Sequence, residues 1–430
     1  MIWNEARECI SRDELMELQG RCLVKLVNTM YYNVEYYRKK MQKEGLEPGD
    51  IKGIDDLYKL PFTTQEDLRN NSPYNILAVP KSEIIRYQAT SETTGEGKMV
   101  GYTRNDIEIW SECVARCIYM AGLNRNDTIQ VAYNYGLFTG GIGAHYGVEK
   151  VGASVVPISL CNTNKMLKLM QNLEVTGIMC TPSYLMHVSD EIAGCGDKIK
   201  LKVAICGSES WPDEMRVEIE NKLGIKAFDI YGMTEIAGPG VAGDCEYHAG
   251  MHIQEDFFIS EVIDTETLEK VPDGVEGELV FTTLLKEGTP LIRYRSNDIS
   301  SITHEKCQCG RTFARIDKPY RKTDDMFVVR GVSVYPQKIA AAFDKIEYEN
   351  VRFMLKAERI KGIDELKLLI EFERDYNFAE HKDIESLFED AKTAIKKSAG
   401  VIPQIEVVPA GSIKLGSNKK IVVIDSRKYN

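Results

Sequence analysis

The chain has no apolar run approaching the roughly 20 residues that a membrane-crossing helix needs, so no membrane partner is expected. Its first residues, Met1-Ile2-Trp3-Asn4-Glu5-Ala6-Arg7-Glu8, lack a basic stretch followed by an apolar one, and no secretory signal is expected. Positive charge is in deficit: 54 lysines and arginines face 65 aspartates and glutamates, for a formal net charge of -11. Binding to nucleic acid draws on a basic surface that releases counterions, so nucleic acid is not expected as a partner, and an anionic small molecule would need a local basic site. There is no internal repeat, low-complexity tract or glycine/serine-rich linker. The eleven cysteines, an odd number scattered mostly singly among apolar residues, argue against a disulfide framework. They point to a reducing, cytoplasmic setting in which most act as small buried hydrophobes.

What is present is an ordinary globular composition, with 43% hydrophobic and 28% charged residues. A length of 430 residues exceeds one compact core and predicts two domains, residues 1–323 and 324–430. Helical spacing marks the start (Leu15, Leu18, Leu23, Leu26, Val27), followed by the tyrosine-rich stretch Tyr31 to Tyr37, read as core and helix packing. From about residue 75 to 235, short apolar runs such as Thr128 to Ala132, Ala153 to Pro157, Gly177 to Cys180 and Val203 to Cys206 alternate with helical segments. That alternation predicts an α/β layered domain with parallel strands. Between about 255 and 317, closely spaced segments such as Glu278 to Thr282 are broken by Pro-Asp-Gly and Glu-Gly turns and predict a β subdomain. After Asp324 the order strand, helix, strand, strand, helix, strand predicts a small α+β domain of split β-α-β kind, joined by a short hinge.

Three segments could carry chemistry. Thr90-Ser91-Glu92-Thr93-Thr94-Gly95-Glu96-Gly97-Lys98 combines hydroxyls, glycines and a lysine, the ingredients of a phosphate cradle. Asp229-Ile230-Tyr231-Gly232-Met233-Thr234-Glu235 closes a strand and opens a loop, where ligands of an open α/β sheet collect and a glutamate can hold Mg2+. Ile292-Arg293-Tyr294-Arg295-Ser296-Asn297-Asp298 offers an aspartate able to accept from both hydroxyls of a ribose. Taken singly, each also reads as a satisfied polar turn. A fourth feature is the tight pair in Cys307-Gln308-Cys309-Gly310, with Cys245, His248 and His252 about sixty residues earlier. Structural zinc is held by four thiolate or imidazole ligands on short segments, so Cys245, His252, Cys307 and Cys309 form a candidate set in which His248 competes with His252.

The order and spacing of these segments, together with Gly207-Ser208-Glu209 and Asp324 to Gly331, resemble the successive motifs of adenylate-forming enzymes. Tyr133 to Gly147 and Asp324 to Pro336 look like the phenylacetate-CoA ligase branch, and the resemblance runs from about residue 75 to Asp425. It implies an ATP-dependent ligase that joins an arylacetic acid to coenzyme A through an acyl-adenylate, releasing AMP and pyrophosphate. By motif, Ser91, Thr93, Thr94 and Gly95 would embrace the ATP phosphates with Lys98 nearby, Glu235 would hold Mg2+, and Asp298 would bind the ribose. Gly207, Ser208, Glu209, Asp229 and Tyr231 would border the adenine, next to Gly232, Met233 and Thr234. The catalytic lysine of the small domain falls on Lys419, with Lys420 as the alternative. Asp324 would be the hinge about which the small domain turns to offer a coenzyme A channel near Arg330, Gly331 and Val332.

The aryl group would lie between Tyr135, Gly136, Leu137, Phe138 and Ala144 on one wall and Ile236, Ala237, Gly238 and Pro239 on the other. A homodimer is expected on the same resemblance. Departures from the family pattern are Glu92 and Asn418 where glycines are usual, and Lys322, beside Arg321, where an arginine is usual. Two rival readings are transfer of the adenylate to a carrier-protein thiol and a degenerate nucleotide-binding relative.

Overall fold

The computed structural model describes residues 1–90, 97–159, 161–319, 321–322, 327–330, 332–343, 351–360, 363–372, 384–413 and 421–427. Ser11 and Glu14 cap each other's backbone amides and so start the helix Arg12–Asn33. Its buried face, Leu15, Leu23, Leu26, Val27 and Met30, recurs at helical spacing, each side chain contributing about 1.5–3 kcal/mol on burial. The tyrosine stretch divides: Tyr31 and Tyr37 are buried, whereas Tyr32 is exposed.

The chain separates into two compact units, Met1–Thr90 with Lys98–Tyr320, and Ser91–Gly97 with Arg321–Asn430. The first is organised on a nine-stranded sheet whose strands are β1 Thr128–Val131, β2 Ser154–Pro157, β3 Gly177–Cys180, β4 Val203–Gly207, β5 Lys226–Met233, β6 Gly238–Asp244, β7 Met251–Ile253, β8 Ile302–Thr303 and β9 Arg315–Ile316. Their spatial order is β8-β9-β7-β6-β5-β4-β3-β1-β2. Pairing from β2 to β5 is parallel, because a helix crosses over between successive strands, and from β5 onward it is antiparallel. The parallel strands β3 and β4 are buried along their whole length, as helix-covered strands must be. Three further strands, Phe258–Ile263, Gly277–Thr283 and Tyr294–Ser300, pair antiparallel and make the β subdomain. Glu8 and Arg311 form a buried ion pair at 2.6 Å that fastens the N-terminal segment to the loop before β9.

In the second unit, Val351–Ile360 and Ile363–Phe372 form an antiparallel pair, flanked in parallel by Ile421–Asp425 and Gln404–Val408. Phe327–Val329 does not join that sheet. It folds back on Val332–Val334 as a separate hairpin, with Arg330 in the left-handed region at φ 51°. Two short strands are thus added to the expected order, and Ile421–Asp425 takes the sheet position beside Val351–Ile360. No helix among the described residues is long and apolar enough to cross a membrane.

Candidate active site

Strand β5 ends at Met233 and returns as β6 through Thr234-Glu235-Ile236-Ala237. The strands approach so closely that a Cβ on Gly232 would stand 1.8 Å from the Gly238 carbonyl oxygen, so only glycine fits there. Glu235, at the tip of this turn, is nevertheless only 4% exposed. Its Oε1 accepts from the Tyr294 hydroxyl at 3.0 Å and pairs with Lys98 Nζ at 3.0 Å, and Lys98 also donates to Gln65 Oε1 at 3.1 Å. Burial pushes the Glu235 carboxyl up, but the Lys98 charge and the donors around it bring it below the ordinary carboxylate value. A buried carboxylate held in its ionised form is the donor a hard divalent cation takes, so Glu235 fits Mg2+.

The backbone of the turn is also held. Tyr102 Oη donates to the Thr234 carbonyl at 2.6 Å, and Lys286 Nζ donates to the Glu235 carbonyl at 2.7 Å. Burial pulls the Lys286 ammonium down to about 8, against the pull of Asp106 and Glu235.

Tyr231, earlier on β5, donates to Asp298 Oδ2 at 2.7 Å, joining the expected adenine border to the expected ribose ligand. Burial, then the Asp298 charge, push the Tyr231 phenol up, so it remains a donor. Asp229 turns to Trp211 Nε1 at 2.5 Å and Lys318 Nζ at 2.9 Å, which commits its carboxylate to the packing of β5. Beyond the end of β4, Ser208 takes φ 71° and Glu209 accepts from the Ser183 amide at 3.3 Å. Gly207, Glu209, Tyr231 and Glu235 therefore collect at the carboxyl ends of adjacent strands, where open α/β sheets hold ligands.

The expected acyl walls meet through a residue the sequence reading missed. Helix α1, Arg104–Met120, presents Trp110, and helix α2, Thr139–Val151, carries one wall. Trp110 donates to the Pro239 carbonyl at 3.1 Å, and its ring packs against Gly143 and Gly238, where an added Cβ would fall 2.3 Å and 2.5 Å from it. Thr139 and Thr234 share a hydroxyl contact at 3.2 Å. Ala144, Ile236, Ala237 and Gly238 are buried, whereas Leu137 and Phe138 are 56% and 40% exposed. Tyr135 is half-buried, its hydroxyl 3.3 Å from His145 Nδ1, and Gly136 follows at φ 136°.

The cysteine and histidine ligand atoms of Cys245, His252, Cys307 and Cys309 all lie within 4.8 Å of one another. Cys245 Sγ and Cys307 Sγ are 3.8 Å apart, and Cys309 Sγ and His252 Nε2 are 3.4 Å apart. Zinc–sulfur bonds of about 2.3 Å in a tetrahedron place two sulfurs about 3.8 Å apart, so the donor set fits that ion. His252 Nδ1 lies 3.3 Å from the Phe313 carbonyl, a contact that leaves Nε2 for a metal. His248 instead meets Asp244 through Nδ1 and stacks on Phe228.

A family model described as AMP-binding enzyme matches residues 24–283, and one described as AMP-binding enzyme C-terminal domain matches residues 331–427. A phenylacetate-coenzyme A ligase of Aromatoleum evansii is 40% identical over 97% of this chain and 96% of its own. That of Escherichia coli (strain K12) is 39% identical over 98% of this chain and 97% of its own. The chain belongs to the phenylacetate-CoA ligase family of AMP-binding enzymes. Among solved structures, a 2-hydroxyisobutyryl-CoA ligase in complex with 2-HIB-AMP and CoA, in the thioesterification state, matches with a TM-score of 0.87 and 25% identity. That match covers 99% of this chain and 93% of the other.

Several residues expected from the family motifs lie outside the described residues: Ser91, Glu92, Thr93, Thr94 and Gly95, Asp324, Gly331, and Asn418, Lys419 and Lys420, together with the side chain of Lys322. Arg330 is described, and its Nε donates to the Asp364 carbonyl at 2.8 Å within the second unit. Besides Trp110, sequence reasoning missed the roles of Tyr102, Lys286 and Tyr294. Only Tyr294 lay in a segment already singled out, four residues before Asp298.

Proposed function

We propose that this member of the phenylacetate-CoA ligase family joins an arylacetic acid, phenylacetate first among them, to coenzyme A at the expense of ATP. The observation that supports this best is the buried, ionised Glu235 beside Lys98, just past the strand on which Tyr231 bonds Asp298. In the first half-reaction a carboxylate oxygen of the acid attacks the α-phosphorus of ATP, and pyrophosphate leaves. In the second, the coenzyme A thiol attacks the acyl carbonyl, and AMP leaves. Both reactants of the first step are anions, so the protein's task is to neutralise charge and hold them in line. Mg2+, when bound, supplies charge neutralisation on the phosphates. Glu235 would hold that ion, Lys98 would lie near the ATP phosphates, and Asp298, oriented by Tyr231, would accept from the ribose. Lys419 is the proposed lysine of adenylation and Asp324 the proposed hinge.

The buried, apolar Ala144, Ile236 and Ala237 are proposed to line the slot for the aryl ring, with the exposed Leu137 and Phe138 at its lip. Cys245, His252, Cys307 and Cys309 are proposed to hold a structural zinc ion. With four protein ligands it would leave no open position for water activation, and it would tie the end of β6 to the loop between β8 and β9. A homodimer is proposed on family grounds and is tested by sedimentation.

The deciding experiment measures AMP and pyrophosphate formation with ATP, Mg2+ and a panel of aryl and arylalkyl acids, with and without coenzyme A. Acid-dependent turnover that yields the thioester is expected. Pyrophosphate release without thioester would transfer the reading to a carrier-protein acceptor, and silence across the panel would defeat the ligase reading.

A further inference from the structure

Lys286 is an unusual interior residue: it is 8% exposed, and among the described residues no carboxylate stands within ion-pair distance of it, although the charges of Asp106 and Glu235 act on it from farther off. Lysines are rarely buried without a charged partner, because their ammonium is strongly hydrated in the unfolded chain. Its Nζ points instead at a peptide carbonyl, that of Glu235, at 2.7 Å, and lies 4.7 Å from the centre of the Tyr102 ring. That ring stacks on Trp110, and its own hydroxyl reaches the preceding carbonyl, that of Thr234, at 2.6 Å.

These two carbonyls belong to the peptide planes on either side of the Glu235 Cα. Pinning both planes fixes φ and ψ of Glu235, and with them the direction of its Cα–Cβ bond. The base of Lys286 is fixed as well, because the next two amides, of Glu287 and Gly288, donate to Asp106 at 2.7 and 2.9 Å. Asp106 in turn caps α1 through Thr103, and Thr103 Oγ1 donates to Glu287 at 2.8 Å. The carboxylate and the backbone of Glu235 are thus held by different residues: Lys98 and Tyr294 on one, Tyr102 and Lys286 on the other.

We infer that Lys286, with Tyr102, is a positioning residue that aims the Glu235 carboxylate at the metal of the bound nucleotide. The inference rests on the reading of Glu235 as the Mg2+ ligand. It assigns the buried ammonium a task that a merely structural lysine would not have, namely a part in how strongly the metal ion improves nucleotide binding.

The test is the affinity for α,β-methylene-ATP, whose bridging carbon blocks cleavage, measured calorimetrically on the full chain with excess Mg2+ and with EDTA. The ratio of the two constants is the gain from metal. In Lys286→Met this gain should shrink by roughly ten-fold, the effect typical of removing a residue that orients a metal ligand, while the metal-free constant stays put. Lys286→Arg, which can still reach the carbonyl, should recover most of the gain. An undiminished gain in Lys286→Met, or a metal-free affinity that falls in step, overturns the inference. Glu235→Gln separates it from the reading beneath it: a gain that survives that change defeats the metal-ligand assignment itself, whereas a gain lost there but kept in Lys286→Met defeats only the positioning role. Should Lys286→Met not fold, Tyr102→Phe, which deletes a single hydroxyl, replaces it under the same criteria.

Discussion

The two sides of the candidate site are built to different standards. On the proposed nucleotide side, Glu235 is buried and tied at its carboxylate by Lys98 and Tyr294 and at its backbone by Tyr102 and Lys286. On the proposed acyl side, the lip Leu137–Phe138 stands open to solvent, tied to the neighbouring strand by the Ala89 amide donating to the Leu137 carbonyl at 2.9 Å. Chemistry common to every substrate tolerates little error in geometry, so its residues are over-determined. Recognition of one particular acid needs only a shape, and an exposed lip can change shape at little cost to the fold.

If that contrast holds, disturbing the braced side should damage catalysis most. Glu235→Gln is expected to slow adenylation by on the order of 10²–10³-fold, measured as acid-dependent pyrophosphate release, as removal of one preorganised electrostatic group does. A loss no greater than that of a lip variant would break the comparison. Tyr231→Phe removes the donor that orients Asp298 and should weaken ATP binding by roughly ten-fold, since a hydrogen bond to a charged group contributes about 1.5–3 kcal/mol. The expected signature is a raised KM for ATP with an unchanged KM for the acid.

Phe138→Ala addresses the open side. It should alter the ranking of acids through KM while shifting stability by no more than about 0.5 kcal/mol, as exposed substitutions do. A large fall in the melting temperature would show the lip to be part of the core.

The contrast also explains what could be read without coordinates. Apolar runs bounded by turns located the parallel strands, because helix-covered strands must be apolar on both faces. Glu235 and Asp298 stood out because their segments recur in a family. Lys286, Tyr102 and Trp110 did not, since their hydrogen bonds go to backbone carbonyls, and a backbone carbonyl has no signature in the identity of the residue that bears it. Cys245, His252, Cys307 and Cys309 were legible as a set because zinc chemistry restricts ligands to few residue types. The choice between His252 and His248 was not legible. It depends on strand register, in which His252 pairs with Gly243 on β6 and Arg315 on β9.

Cysteine ligation offers a second contrast with the braced turn, since there the metal itself would be the tie. Zinc is expected at one ion per chain by mass spectrometry, and Cys309→Ser should reduce it and lower the melting temperature. Full metal content in that variant would remove Cys309 from the ligand set.

The smallest expected effect concerns Asp67, which caps the helix Gln65–Asn71 and pairs with Lys40 at 2.7 Å, steadying the Gln65 that receives Lys98. Burial raises its carboxyl, but Lys40 and the Thr64 donors outweigh this and hold it below the ordinary value. A depressed folded-state value means that the stabilisation is present above about pH 4, the unfolded carboxylate value, and is lost as pH falls through the folded one. Because the pair is partly solvated, Asp67→Asn should cost at most about 1 kcal/mol at neutral pH and less in acid, as read from denaturant midpoints.

The Glu8–Arg311 pair carries a consequence for the order in which the molecule is made. Glu8 leaves the ribosome some three hundred residues before Arg311 does, and until then its carboxylate has the Trp3 and Asn4 amides but lacks the guanidinium that balances its charge. Trp3 of the same segment can meet Glu112 and Tyr119 of α1 much sooner, but the buried ion pair is completed only when nearly the whole first unit has been made. Completion of that pair is a late event of folding, and a nascent chain halted before Arg311 should leave the N-terminal segment less protected from proteolysis than the central strands.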